Sequence, residues 1–134
     1  MKLVIIESPY RGDNYRDLER NKLYLRACIR DCISRGESPY ASHRMLTDAL
    51  DDTDPHERAT GIEAGLAWRN VRQPVFDDKI GAAILKQVSH IFYVDFGYST
   101  GMSLSQKRYT DEEIPYEERK LRSDDPFFVQ ASLL

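Results

Sequence analysis

Two periodicities alternate along this chain. Leu3–Ile6 and Ile91–Val94 are short, unbroken apolar runs rich in β-branched and aromatic residues, as expected of buried parallel strands. Tyr15–Arg35 predicts the clearest helix. Its Leu25, Cys28, Ile29, Cys32 and Ile33 recur at the spacing of one buried face, and Gly36 is placed to end it. Glu37–His43 reads as a second strand or an extended loop, and Arg44–Leu50 as a helical turn or two. Asp54-Pro55 supplies an N-cap and a first-turn proline for a helix reaching about Asn70. Ala59, Ile62 and Leu66 form its packed face, and Gly61 and Gly65 lie one turn apart. Arg72–Phe76 reads as a connection, and Asp77-Asp78 as the start of a helix with Ile80, Ile84, Leu85 and Val88 facing inward. Ser103–Tyr109 is amphipathic and helical, and Ile114-Pro115-Tyr116 begins a short edge strand. Residues 122–134 read as an irregular tail whose Phe127, Phe128 and Val129 pack on the body or on a second copy of the chain.

The order β-α-β-α-α-β-α-β implies an α/β fold. Three layers are expected around a mostly parallel sheet of four or five strands, in one domain spanning 1–134. Composition agrees: 134 residues with 41% apolar and 31% charged positions suffice for one real core. The net charge of −3 argues against a nucleic-acid partner. No apolar run is long enough to cross a membrane. Met1–Ile6 is too short for a signal peptide and lacks a small-residue cleavage site, so a cytoplasmic protein is expected. Cys28 and Cys32 read as core thiols, and no metal or cofactor is expected.

Candidate chemistry gathers where strands end, because ligands of open α/β sheets sit outside the carboxyl edge. Ser8, Tyr10, Arg11 and Gly12 lie in the loop after the first strand, ahead of a helix that Asp13 or Asn14 can cap. A helix start offers free N–H groups and Arg11 a fork donor, so the loop reads either as an anion or ribose cradle or as an ordinary connection. His43 ends the second extended stretch. In Asp95-Phe96-Gly97-Tyr98-Ser99-Thr100-Gly101-Met102 a strand stops at an acidic residue and opens into a Gly/Ser/Thr turn. Asp95, Gly97, Ser99, Gly101 and Met102 are the candidates there, and Asp95 is also read as a turn-capping residue.

Four stretches carry a resemblance: Glu-Ser-Pro-Tyr-Arg-Gly-Asp at 7–13, Ser-Pro-Tyr-Ala-Ser-His at 38–43, Glu-Arg-x-x-Gly-Ile-x-Ala-Gly-Leu-Ala-Trp at 57–68, and Tyr-Val-Asp-Phe-Gly-Tyr-Ser-Thr-Gly-Met at 93–102. Over residues 2–121 the chain resembles a bacterial and phage family of uncharacterised proteins related to the nucleoside 2-deoxyribosyltransferases. The resemblance implies a Rossmann-like fold, homo-oligomers, and a nucleoside or nucleotide at the strand ends. It also implies N-glycosidic chemistry in which a Glu attacks the anomeric carbon. The position matching that Glu is Ser105, and a neutral hydroxyl without a base neither stabilises nor captures an oxocarbenium-like state.

Three readings follow. The first is binding of a nucleoside- or nucleotide-type ligand without the transferase chemistry. The second is an N-glycosidase or deoxyribosyltransferase using Asp95, with Glu63 and Asp78 as further carboxylates. The third is a phage protein-interaction module acting on a host protein through its aromatic tail.

Overall fold

The computed structural model describes residues 1–134. Four strands, β1 (Lys2–Glu7), β2 (Glu37–Tyr40), β5 (Ser89–Tyr93) and β6 (Tyr116–Arg119), form one sheet in the order β2-β1-β5-β6, with every neighbour parallel. Helices α1 (Tyr15–Ser34), α2 (Ser42–Ala49), α3 (Pro55–Leu66), α4 (Thr100–Asp111) and α5 (Pro126–Ser132) surround it. The result is a Rossmann-like three-layer α/β fold.

Side-chain alternation along the central strands separates the layers. Val4 and Ile6 of β1, with Ile91 and Tyr93 of β5, pack against Tyr24, Leu25, Cys28 and Cys32 of α1 and Ala131 of α5. Phe92, one residue out of phase, points the other way and packs with Leu66 of α3, Met102 and Tyr109 of α4, and Ile114. By the same parity Glu7 faces the α4 side, where the hydroxyl of Tyr109 reaches it. Each large apolar side chain buried in these layers contributes about 1.5–3 kcal/mol. The face of α1 that is buried is rotated from the one its spacing suggests. Asn21, Tyr24, Leu25, Ala27, Cys28 and Cys32 are inside, while Ile29 and Ile33 are exposed. Two aromatic or polar positions, Tyr24 and Asn21, displaced two isoleucines because each has a hydrogen-bond partner within the fold.

The stretch after α3 corrects the sequence reading. A 3-10 turn (Ala67–Asn70) leads into β3 (Arg72–Asp77) and β4 (Ala82–Gln87), an antiparallel hairpin where a connection and a helix were expected. The turn chemistry decides this. Asp77 Oδ1 accepts from Lys79 N–H at 2.8 Å, the Gly81 N–H donates to the Asp77 carbonyl at 2.9 Å, and Gly81 takes a φ of +64°. The hairpin is anchored at its base by Gln73. Its amide accepts from Leu3 N–H at 2.8 Å and donates to Leu3 C=O at 3.0 Å, so it acts as a short substitute strand beside β1.

The tail is also more ordered than expected. Asp125 caps α5 by accepting from Phe127 N–H at 3.0 Å and Phe128 N–H at 3.1 Å, with Pro126 following. The same Asp-Pro signature starts α3. Phe128 packs on Tyr24 and Phe96, and Phe127 lies under the guanidinium groups of Arg26 and Arg30. The tail therefore covers α1 of its own chain. No helix is long and apolar enough to cross a membrane.

Candidate functional site

The carboxyl edge of the sheet opens into a cleft of about 1050 Å³. Its first wall is the β1–α1 loop. Asn14 caps α1 by accepting from Asp17 N–H at 2.9 Å, and the buried Asn21 amide donates to the Tyr10 carbonyl at 3.0 Å. Gly12 has a φ of +69°, and a Cβ there would collide with the Asp17 side chain. Only glycine fits this turn, which brings Arg11 to the rim.

The second wall is the start of α4. Gly97, at φ +76°, turns the chain after β5, and Ser99 Oγ accepts from Met102 N–H at 3.2 Å. The first-turn amides of Thr100 and Gly101 have no intrahelical acceptor, and both residues line the cleft. The third wall is the α2–α3 pair. Gly65 lets Ser42 approach so closely that a Cβ would lie 3.0 Å from its Oγ, and Gly61 does the same for Leu50. A Cβ at either position requires the Ser42 or Leu50 side chain to give by a few tenths of an ångström.

Of the residues singled out in the sequence, Ser8, Tyr10, Arg11, Gly12, His43, Ser99, Gly101 and Met102 all line this one cleft. Arg11 and Ser99 thus share a rim. Gly97 stands outside the lining and shapes the turn behind it. Tyr10 donates to Asp48 Oδ1 at 2.5 Å, and burial with that carboxylate pushes its phenol up to about 12. Arg11 spans the mouth, donating to the carbonyl and Oδ2 of Asp52, both at 2.9 Å. His43 Nε2 lies 2.9 Å from Ser8 Oγ, while its Nδ1 is buried without a partner. Burial and the neighbouring Arg44 push the imidazole down to about 4, so it is neutral at pH 7. The Ser8 hydroxyl and Nε2 satisfy one another, and Nδ1 is the polar atom of the pair left without a partner.

Asp95, expected as the site's carboxylate, is not among the residues lining the cleft. It lies on the α1 side, where it accepts from Tyr24 Oη at 2.7 Å and from Leu121 N–H at 3.1 and 3.2 Å. Glu63 pairs with Arg108 at 2.9 Å on the outside, and Asp78 sits in the hairpin turn. Asp13, Asp17, Asp52, Glu57 and Glu7 line the cleft, and of these five carboxylates only Glu7 is buried, at 9% exposed. Tyr109 Oη donates to its Oε1 at 3.4 Å. Burial pushes Glu7 up to about 7, and the nearby hydroxyls of Tyr109 and Ser105 oppose that rise. One signal could have found it. Glu7 ends β1 at the ligand edge, just as an acidic residue follows β5.

Fold and cleft together define an α/β protein of Rossmann-like design with a polar, ligand-sized cleft at the carboxyl edge of its sheet. The chain belongs to the family described as domain of unknown function DUF7768, whose model matches residues 2–84. That match takes in the β1–α1 loop, His43 and both helices of the third wall, and stops inside β4. No curated protein and no solved structure matches the chain.

Proposed function

We propose that the cleft binds a small nucleoside- or nucleotide-type ligand, without the sugar-transfer chemistry that the resemblance implies. One observation carries this reading: the entries to α1 and α4 open on the same cleft, with Arg11 on the rim between them. Amides at a helix start and a guanidinium suit a phosphate, while Ser8, Asn14 and Thr100 offer hydrogen bonds to a ribose. The volume is of the order that holds a compact organic ligand, roughly 300–1,000 Å³. The position of the expected catalytic Glu is Ser105, and Asp95 is turned away from the cleft and engaged on the α1 side. Both facts favour binding over transfer.

The reading includes a cytoplasmic setting, which two free buried thiols suit, and a homo-oligomer. Self-association is supported by the outer face of the hairpin, where Phe76 and Leu85 are 64% and 63% exposed. A host-protein role for the tail has no support from Phe128, which packs internally. A thermal-shift screen with nucleosides, nucleoside mono- and diphosphates and ADP-ribose tests the proposal. Stabilisation by a phosphorylated member is expected, and no shift with any of them overturns it.

A further inference from the structure

We infer that Glu7 reads the base of the ligand, and that the base it selects is guanine. This rests on the ligand reading above and deepens it.

Glu7 is a nine-tenths buried carboxylate with no cation beside it. Its one hydrogen-bond partner is the Tyr109 hydroxyl, a long 3.4 Å from Oε1. Neither Lys nor Arg pairs with it, whereas the one other buried acidic side chain, Glu37, has Arg119. A carboxylate desolvated in this way is costly unless something supplies donors. Glu7 lines the cleft, so a ligand there can bring such donors. Tyr109 donates toward it, so Oε1 acts as an acceptor.

A ligand that completes the site must therefore present N–H groups to a carboxylate, ideally two side by side. Among the common bases, guanine alone offers two adjacent donors on one edge, its N1–H and its 2-amino group. Hypoxanthine and uracil offer one ring N–H, and adenine and cytosine one amino group. The walls near Glu7 suit a flat heterocycle, since Ile62, Leu66 and Met102 line the same cleft. Spacing agrees as well. Ser105, beside Glu7, lies five residues beyond Thr100, which is about 7.5 Å along α4. A phosphate at the start of the helix would then place the base of a nucleoside monophosphate at the depth of Glu7.

The test is isothermal titration of the full chain, wild type and Glu7→Gln, with GMP, IMP and AMP, the folding of the variant being checked by circular dichroism. Each charge-assisted hydrogen bond is expected to account for a factor of about 10–100 in affinity. GMP should bind at least about tenfold tighter than IMP and AMP, and Glu7→Gln should remove that preference while changing AMP binding little. Glu7→Asp, which keeps the charge but withdraws it from the base, should also lose most of it. Equal binding of the three, or a preference that survives in Glu7→Gln, overturns the role of Glu7 and leaves the ligand reading standing. Binding of none overturns both. Release of free guanine that stops in Glu7→Gln would show Glu7 reacting with the sugar, and so also overturns its role as a reader.

Discussion

The hydroxyl of Tyr24 donates to Asp95 Oδ2 at 2.7 Å and accepts from the Asp95 backbone N–H at 2.9 Å. With Leu121 N–H on the same carboxylate, Asp95 ties α1, the end of β5 and the chain leaving β6 into one knot. Asp95→Ala leaves the Tyr24 O–H and the Leu121 N–H without their acceptor, at a cost of about 1–3 kcal/mol. The urea midpoint should fall accordingly, while ligand affinity of the folded protein stays within about twofold of wild type, because the side chain does not reach the cleft.

Glu7 makes stability depend on pH. Its folded-state value of about 7 lies above the ordinary 4.5, so the folded chain keeps a proton that the unfolded chain releases. Its contribution is fully present below pH 4.5 and is lost as pH rises through 7, about 3 kcal/mol in all. His43 acts oppositely. Its value is depressed from 6.5 to about 4, so its contribution is lost as pH falls across that range. The comparison that isolates Glu7 is therefore wild type against Glu7→Gln. The variant should be more stable than wild type at pH 8 and lose most of that advantage at pH 4, as measured by chemical denaturation.

The Arg11–Asp52 pair spans the cleft mouth with side chains 45% and 28% exposed. Solvent screens such a pair, so Arg11→Ala should change stability by less than about 1 kcal/mol. Its effect on a phosphorylated ligand should be larger. A loss of about tenfold in affinity is expected, with a shallower salt dependence. Thermal denaturation and titration at two salt concentrations separate the two effects.

Arg119 and Glu37 join the two edges of the sheet behind Tyr93, with bidentate contacts at 2.6 and 2.7 Å. Arg119 holds the Glu37 carboxylate below its usual range. Arg119→Met leaves that charge buried alone and should cost about 3–5 kcal/mol. Combining it with Glu37→Met should restore much of the loss, and a double-mutant cycle by denaturation measures the coupling.

Much of the fold was legible because its signals are local. The runs 3–6 and 91–94, the Asn14 and Asp54-Pro55 caps and Gly36 each act within a few residues. The hairpin was misread because Ile80, Ile84 and Val88 fit a helical period, while the reversal depends on turn bonds between Asp77, Lys79 and Gly81. Helix α5 was missed although Asp125-Pro126 repeats a signature recognised at 54–55. At the site, most candidates share one cleft because strand ends in a parallel sheet share one edge. Asp95 and Glu7 could not be told apart from sequence. Which face of the sheet an acidic residue at a strand end takes depends on strand parity and on the helix packed against it.

The most direct measurement is an amide-resolved NMR titration of the full chain with GMP and, separately, ADP-ribose. A ligand at the shared rim should shift the amides of Arg11, Gly12, Thr100 and Gly101 together, and leave residues 72–87 of the hairpin unmoved. Spectra unchanged at millimolar ligand, or shifts confined to one wall or to the hairpin, would contradict binding in the cleft.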